Sequence, residues 1–486
     1  MVDSRRSGLS TSPSLPEGTQ AVKASTDSPG SAPRLAAKLN LFDATMIVMG
    51  GIVGSGIFIN PYVVAQIVHT PVLILSAWIV GGAIALVGAF IYAELADRMP
   101  QVGGQYAYLR TAYHPAVGFL YGWVALLVIH AGGTAAVVVT FAKYFQLLLT
   151  GGSEKITAVT VIVALTIVNC MGVRAGGTVQ SVFMIFRILA ISTVVLCGAW
   201  FIWASPAAPH IAWQPLSDRP PSFGLLSAFG AAMVPVLFGY GGWQTSNYMA
   251  GEIRDPRKNL PRALVFGVLG IIALYLTVNF VYVQALSPAG LAATPTPASQ
   301  VMRLAFGRAG ASLVAALIAI STVGFLSQAL LSYPRLYFAM ASDGLLPAWF
   351  ARINPRTLVP TGTIILQGAV TIAVVLLGTY EQILSYVVVM DWLFFGLTAT
   401  CIFVFRARDK HETAVDAEAK TKGFRVPGHP WTTGLFVAIA WFITLNTIYK
   451  YPRNAGVALC ILFAGFPVFY FFRGRARRSI GSKRDQ

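Results

Sequence analysis

Two glycine-rich interruptions of apolar sequence are where this chain could hold a polar ligand. Residues 50–61 read Gly-Gly-Ile-Val-Gly-Ser-Gly-Ile-Phe-Ile-Asn-Pro and residues 239–244 read Gly-Tyr-Gly-Gly-Trp-Gln, each within a long hydrophobic run. A glycine costs about 1 kcal/mol against alanine in a helix interior, so neither run is expected to stay regular. At membrane depth, freed backbone N–H and C=O groups are tolerated only where protein or a cavity surrounds them. A broken helix supplies an anion site and a cation site without any charged side chain, since its N-terminal end is positive and its C-terminal end negative. The half starting near Ile57 would offer the N–H groups of Ser55, Gly56 and Ile57, with the Ser55 hydroxyl, to a carboxylate. The half ending near Ile52, with the carbonyls of Phe238 and Gly241 at the second break, would face an ammonium. The competing explanation is close helix packing through small residues. Two breaks at matched places argue for a binding site instead.

Ionisable groups inside apolar spans are costly and are functional candidates by default. Asp391 could titrate and couple proton entry to a transport step, or hydrogen-bond to backbone and hold its helix in place. Arg187 stands between Phe186 and Ile188 with no acidic neighbour in sequence. His130, a lone imidazole on an apolar face, reads as a hydrogen-bonded packing residue in preference to a proton relay. Glu94 precedes Arg98 by four residues, the spacing of an ordinary helical ion pair. Glu252 stands beside Arg254 and Arg257, as an inner-gate pair or a surface pair. Trp243, with Tyr240 before it and Gln244 after it, adjoins the second break and is expected to line a pocket and limit its volume; Trp392 fits either a pocket or packing. None of these pocket candidates opposes a ligand side chain with an obvious fixed charge.

The elements that must position these residues follow from composition. Hydrophobic residues make up 56% of the 486, charged ones 11%, and mean hydropathy is +0.67, outside the range of soluble globular chains. Twelve apolar runs, each long enough for a bilayer core of about 30 Å, recur between residues 43 and 472. The net charge of +17 would suggest nucleic acid in a soluble protein, but most of the 35 lysines and arginines fall on one side once the N-terminus is placed in the cytoplasm. That is the positive-inside pattern, and it puts both termini inside. The interrupted runs are the first and the sixth. They are five spans apart, an odd number, so the two halves start on opposite faces, the parity of an inverted repeat. The fold class expected is therefore an all-α polytopic membrane protein with twelve transmembrane helices, a five-plus-five inverted repeat and breaks in helices 1 and 6. Residues 1–38 read as a disordered cytoplasmic tail and 39–204 as the first repeat, helices 1–5. Residues 222–407 form the second repeat, helices 6–10, and 408–430 a cytoplasmic connection. Residues 431–472 carry helices 11 and 12, and 473–486 a basic tail. No apolar h-region precedes residue 40, so no signal peptide is expected. The four cysteines, Cys170, Cys197, Cys401 and Cys460, all lie in apolar spans without metal-binding spacing. A membrane-embedded enzyme would need HExxH, a Cys/His cluster or paired carboxylates, and a sensor a soluble output domain; the sequence has neither, so no catalytic role, cofactor or metal is expected.

Several motifs in order carry a family resemblance. They are Gly54-Ser-Gly-Ile-Phe58, Pro100-Gln-Val-Gly-Gly-Gln-Tyr-Ala-Tyr108 and Phe238-Gly-Tyr-Gly-Gly-Trp-Gln244. With them go Glu252 with Asp255-Pro-Arg-Lys-Asn-Leu-Pro-Arg262, and Arg335-Leu-Tyr-Phe338 with Gly344-Leu-Leu-Pro347. Over residues 40–472 the chain resembles the amino acid–polyamine–organocation superfamily, closest to the L-type amino acid transporter branch and its bacterial relatives. The resemblance implies a sodium-independent secondary transporter of neutral L-amino acids in the plasma (inner) membrane, working by alternating access, by exchange or with protons. It implies that Ile52, Ser55, Gly56, Phe238 and Gly241 hold the α-amino and α-carboxylate groups. Sodium-independent members carry a lysine where this chain has Arg187, its charge filling a sodium position. Heteromeric mammalian relatives join a partner glycoprotein through an outer-loop cysteine; this chain has none, so no obligatory disulfide-linked subunit is expected. Proton-coupled symport of an amino acid or polyamine through Asp391 is the alternative.

Overall fold

The computed structural model describes residues 39–99, 103–148, 152–172, 177–206, 208–209, 211, 213, 217–218, 220–248, 250, 253–355, 357, 359–409 and 423–481. Apart from an isolated bridge between Leu39 and Ile253, the regular structure among these residues is helical. The chain enters its first helix through a reciprocal cap. Asn40 Oδ1 accepts the Asp43 N–H at 3.0 Å, and the Asp43 carboxylate accepts the Asn40 N–H at 3.1 Å. The cap starts α1 (Leu41–Ile52) by satisfying donors that a helix end leaves open. Residues 53–55 are not helical, and α2 (Gly56–Ile67) begins beyond them. Thr70 caps α3 (Pro71–Arg98), whose first residue is proline, at the position where a missing N–H does no harm.

After the short α4 (Gln105–Ala112), α5 (Pro115–Val124) passes through residues 125–129 into α6 (His130–Phe145). Residues 125–129 form a π turn, in which the His130 N–H reaches back to the Ala125 carbonyl. Such turns lodge one extra residue within an otherwise α-helical run. Next come α7 (Glu154–Cys170), α8 (Gly177–Ala204) and α9 (Phe223–Tyr240). A non-helical link, residues 241–244, leads to α10 (Thr245–Tyr248). Then follow α11 (Pro256–Ala293), kinked at Ser287, α12 (Pro297–Ser332), kinked at Phe306 and Gly307, and α13 (Pro334–Ser342). The remaining helices are α14 (Thr361–Leu377), α15 (Tyr380–Asp409), α16 (Trp431–Lys450) and α17 (Pro452–Gly481).

Among the described residues ten helical stretches are long and apolar enough to cross a membrane, so this is a multi-pass membrane protein. Their burial separates inner from outer. The apolar windows of Leu41–Ile67 and Pro115–Phe145 are 78% and 83% buried, against 28% for Pro452–Arg473. The helices that carry both the first break and the π turn are thus at the centre.

Glu94 makes far more than the ordinary ion pair its spacing suggested. Its fully buried carboxylate accepts from Arg98 Nε at 3.0 Å, Arg406 Nη2 at 2.7 Å and the Val426 N–H at 2.8 Å. Arg98 also reaches Asp409 at 2.7 Å. One carboxylate therefore fastens α3, the end of α15 and the approach to α16. Glu94→Ala should cost about 3–5 kcal/mol, the usual cost of orphaning buried charge. Thermal unfolding in detergent measures this, and a shift worth under about 1 kcal/mol would contradict the assigned role. Nearby, the Tyr106 hydroxyl donates to Asp343 at 2.6 Å and Arg110 pairs with the same carboxylate. Burial, and then that carboxylate, push the Tyr106 phenol up, so it stays protonated and keeps donating.

Candidate functional site

The helix ends at the two non-helical links touch. A side-chain carbon on Gly51 would come within 2.9 Å of the Gly242 carbonyl, and Gly242 itself has φ +111°, a conformation that disfavours any side chain. A carbon on Gly56 would lie 2.5 Å from Gly239 Cα. Small residues here let backbones cross, so the packing explanation holds at Gly56 whatever else this glycine does. At the first break the chain turns sharply, Val53 N–H bonding to Met49 O and Gly54 N–H to Ile52 O, both at 2.8 Å. The first turn of α2 leaves its leading N–H groups without intrahelical acceptors, as every helix start does.

Beside the junction is a cavity of about 60 Å³. The first break contributes Gly51, Ile52, Gly54, Ser55 and Gly56, and the second contributes Leu237, Phe238, Gly241, Gly242, Gln244 and Thr245. Opposite them, the π turn and α6 bring Ile129, His130, Gly133 and Val137, α12 brings Phe325, and α15 brings Val387, Val388, Asp391 and Trp392; Tyr333 completes the wall. Among the buried polar atoms with no hydrogen-bond partner are Ser55 Oγ, His130 Nε2 and Asp391 Oδ1, all from lining residues. The wall can therefore meet a small polar ligand with helix-end backbone on one side and three unused side-chain atoms around it.

Of the residues singled out from sequence, the lining includes Ile52, Ser55, Gly56, Phe238, Gly241, Gln244, Asp391 and Trp392. Ile57, Tyr240 and Trp243 are fully buried but outside it. Tyr240 turns away to donate to the Trp78 carbonyl at 3.1 Å, beside the Trp78 and Tyr275 rings. Trp243 stacks on Phe395 at 5.1 Å and meets Tyr92 edge-on. It supports the site from behind instead of setting its volume. Trp243→Ala should therefore cost about 3–5 kcal/mol and leave the range of accepted ligands unchanged. A broadened range in a stable variant would return Trp243 to the wall. Glu252 lies outside the described residues.

Arg187 also stands behind the wall, buried to 1% exposure. Its Nη1 donates to the Gly50 carbonyl at 2.7 Å and its Nε to the Ser321 carbonyl at 3.3 Å, joining α8 to the end of α1 and to α12. The guanidinium lies 5.8 Å from the centre of the Phe325 ring, whose other surroundings include the cavity. Asp391, weighed from the sequence as a coupling group or a helix anchor, is in the lining. His130, read as a hydrogen-bonded packing residue, stacks on Tyr333 with its Nδ1 2.9 Å from the Tyr337 hydroxyl, and it is in the lining as well. The sequence signals that could have revealed it are Gly132 and Gly133 beside a lone imidazole, since glycines leave open space on one helix face.

A family model of amino acid permeases matches residues 39–471. The serine/threonine exchanger SteT of Bacillus subtilis is 29% identical over 450 residues, covering 90% of this chain and 97% of its own. The large neutral amino acids transporter small subunit 2 of Mus musculus is 29% identical over 476 residues, covering 94% and 84%. The Asc-type amino acid transporter 1 of Homo sapiens is 27% identical over 476 residues, covering 92% and 86%. With the permease match spanning nearly every described helix, this chain belongs to the amino acid permease family.

Proposed function

We propose that this protein carries neutral L-amino acids across the plasma (inner) membrane by alternating access, without sodium. The observation that carries the reading is the cavity at the meeting of two helix breaks. There the start of α2 suits an α-carboxylate, and the carbonyl ends of α1 and α9 suit an α-ammonium. Polyamines lack the carboxylate and would leave those N–H groups unpaired. Neutrality of the substrate is supported by the described lining, which includes no lysine or arginine to face an acidic side chain. The names of the relatives, which speak of serine, threonine and large neutral amino acids, point the same way.

Counting α7 and α14, each 17 residues long, with the ten longer stretches gives twelve spans. Helices 1–5 (39–204) and 6–10 (222–407) are then inverted repeats, with helices 11 and 12 (431–472) following the 408–430 connection and both termini cytoplasmic. The substrate side would be built on Ile52, Ser55, Gly56, Phe238, Gly241, Gln244 and Trp392. The four cysteines all lie in helices, which supports function without a disulfide-linked subunit, although one relative is named a small subunit. Counterflow in liposomes with a panel of labelled amino acids tests the reading, run with and without sodium and a proton gradient. No counterflow by any amino acid would sink it. A strict need for the proton gradient would favour a proton symporter, with Asp391 in the cavity wall as its titrating group.

A further inference from the structure

Resting on that reading, we propose that His130 and Asp391 select substrates by the side chain, favouring those with a hydroxyl or carboxamide over apolar isosteres. His130 is fixed on every side but one. Its ring stacks on Tyr333, centroids 3.8 Å apart and planes 7° from parallel, and Tyr248 meets it edge-on at 6.0 Å. Its Nδ1 lies 2.9 Å from the Tyr337 hydroxyl, which donates onward to Gln367 Oε1 at 3.0 Å. With its proton committed to Gln367, the Tyr337 oxygen accepts from Nδ1–H, and Nε2 is left as an acceptor. Turning the Gln367 amide over reverses the chain and makes Nε2 a donor. In both arrangements Nε2 has no partner, and the imidazole is only 2% exposed.

Asp391 repeats the situation on α15, with Oδ1 buried and unpartnered. Among the described residues the ionisable groups at the cavity are His130, Tyr333 and Asp391 in the wall, with Arg187 beyond Phe325. Beside them the wall is apolar at Ile129, Val137, Val387 and Val388. Two polar atoms lacking partners on otherwise apolar walls are costly unless the ligand pairs them. A carboxamide donates to both. A hydroxyl donates to Asp391 and either accepts from or donates to Nε2. A methyl in the same place pairs neither. Sites built on such atoms reject the apolar isostere far better than an apolar pocket rejects the polar one.

Threonine against valine, and asparagine against leucine, isolate the hydrogen bonds at nearly constant shape. The test takes whichever labelled amino acid supports counterflow and measures competition by each member of these pairs in the same proteoliposomes. The native protein should favour threonine over valine, and asparagine over leucine, by about tenfold or more. In His130→Leu both ratios should fall to within about threefold, because bulk is kept and Nε2 is lost. Ratios within one preparation do not depend on how much protein folds. Should His130→Leu be inactive, the same ratios read from ligand-induced Tm shifts of Asp391→Leu decide the matter, with the same fall expected. Equal competition by threonine and valine in the native protein, or an undiminished preference in the variant, would overturn the proposal. Amino acid counterflow with no such preference defeats this inference alone, whereas no counterflow at all defeats the transport reading beneath it.

Discussion

Gly133→Leu is expected to abolish substrate binding while leaving the fold intact. Gly133 lines the cavity from α6, and a side-chain carbon placed on it would meet nothing within 4 Å. A leucine there grows into the space a ligand needs, without displacing protein atoms at its base. Removing a glycine from a helix interior contributes about 0.5–1 kcal/mol of stability, so the unliganded variant should melt at or slightly above the native temperature. The native protein at a hundredfold excess of substrate over Kd gains about 2.7 kcal/mol; the variant should gain none, and uptake should drop by about a hundredfold or more. Gly133→Ala should give an intermediate loss. A leucine variant still stabilised by substrate to the native extent would show that the cavity is not the binding site. The obvious alternative, a bulky residue at Gly56, cannot make this test. Its first carbon would strike the Gly239 backbone, and loss of function there would report broken packing.

Transport should proceed with choline in place of sodium, and Arg187 should be the reason. The guanidinium is bonded to the Gly50 and Ser321 carbonyls, the kind of oxygen ligands a sodium ion would use between α1 and α12. An ion about 4 Å away would be repelled by about 4 kcal/mol at an effective dielectric of about 20. That matches the whole free energy of millimolar binding, about 4 kcal/mol. Arg187→Ala leaves the Gly50 carbonyl without its donor and frees α8 from the end of α1, so initial uptake should fall by more than about tenfold. Arg187→Lys keeps the charge but loses the fork that reaches two helices at once, and partial uptake should remain. Native uptake that collapses in choline would refute the exclusion of sodium and direct attention to Asp391 as an ion ligand.

The helices were legible because apolar runs of bilayer length are a strong signal, and the two interruptions because glycine and serine stand out within them. Direction was not legible. Trp243 adjoins a break in sequence, yet the link at 241–244 carries its ring toward Phe395 and Tyr92, away from the cavity. The sequence of Gly56 permitted both a ligand approach and a helix crossing, and only the neighbouring Gly239 reveals the second. Glu94 announced one partner four residues away; Arg406 and Val426 are more than three hundred residues distant, where local spacing says nothing. His130 is the hydrogen-bonded packing residue the sequence suggested, but an imidazole on an apolar helix face looks the same whether that face meets protein alone or a cavity as well.

The π turn at residues 125–129 lodges one residue more than regular winding would hold between α5 and α6. One residue of an α-helix spans about 100° of rotation. Deleting a single residue from this turn would restore regular winding and re-aim the residues inside the turn, Ile129 of the wall among them, while His130 and Gly133 beyond it keep their facing. The cavity wall can therefore change at Ile129 through a one-residue deletion that leaves its polar neighbours in place, a route to altered specificity that substitution at the wall itself does not require.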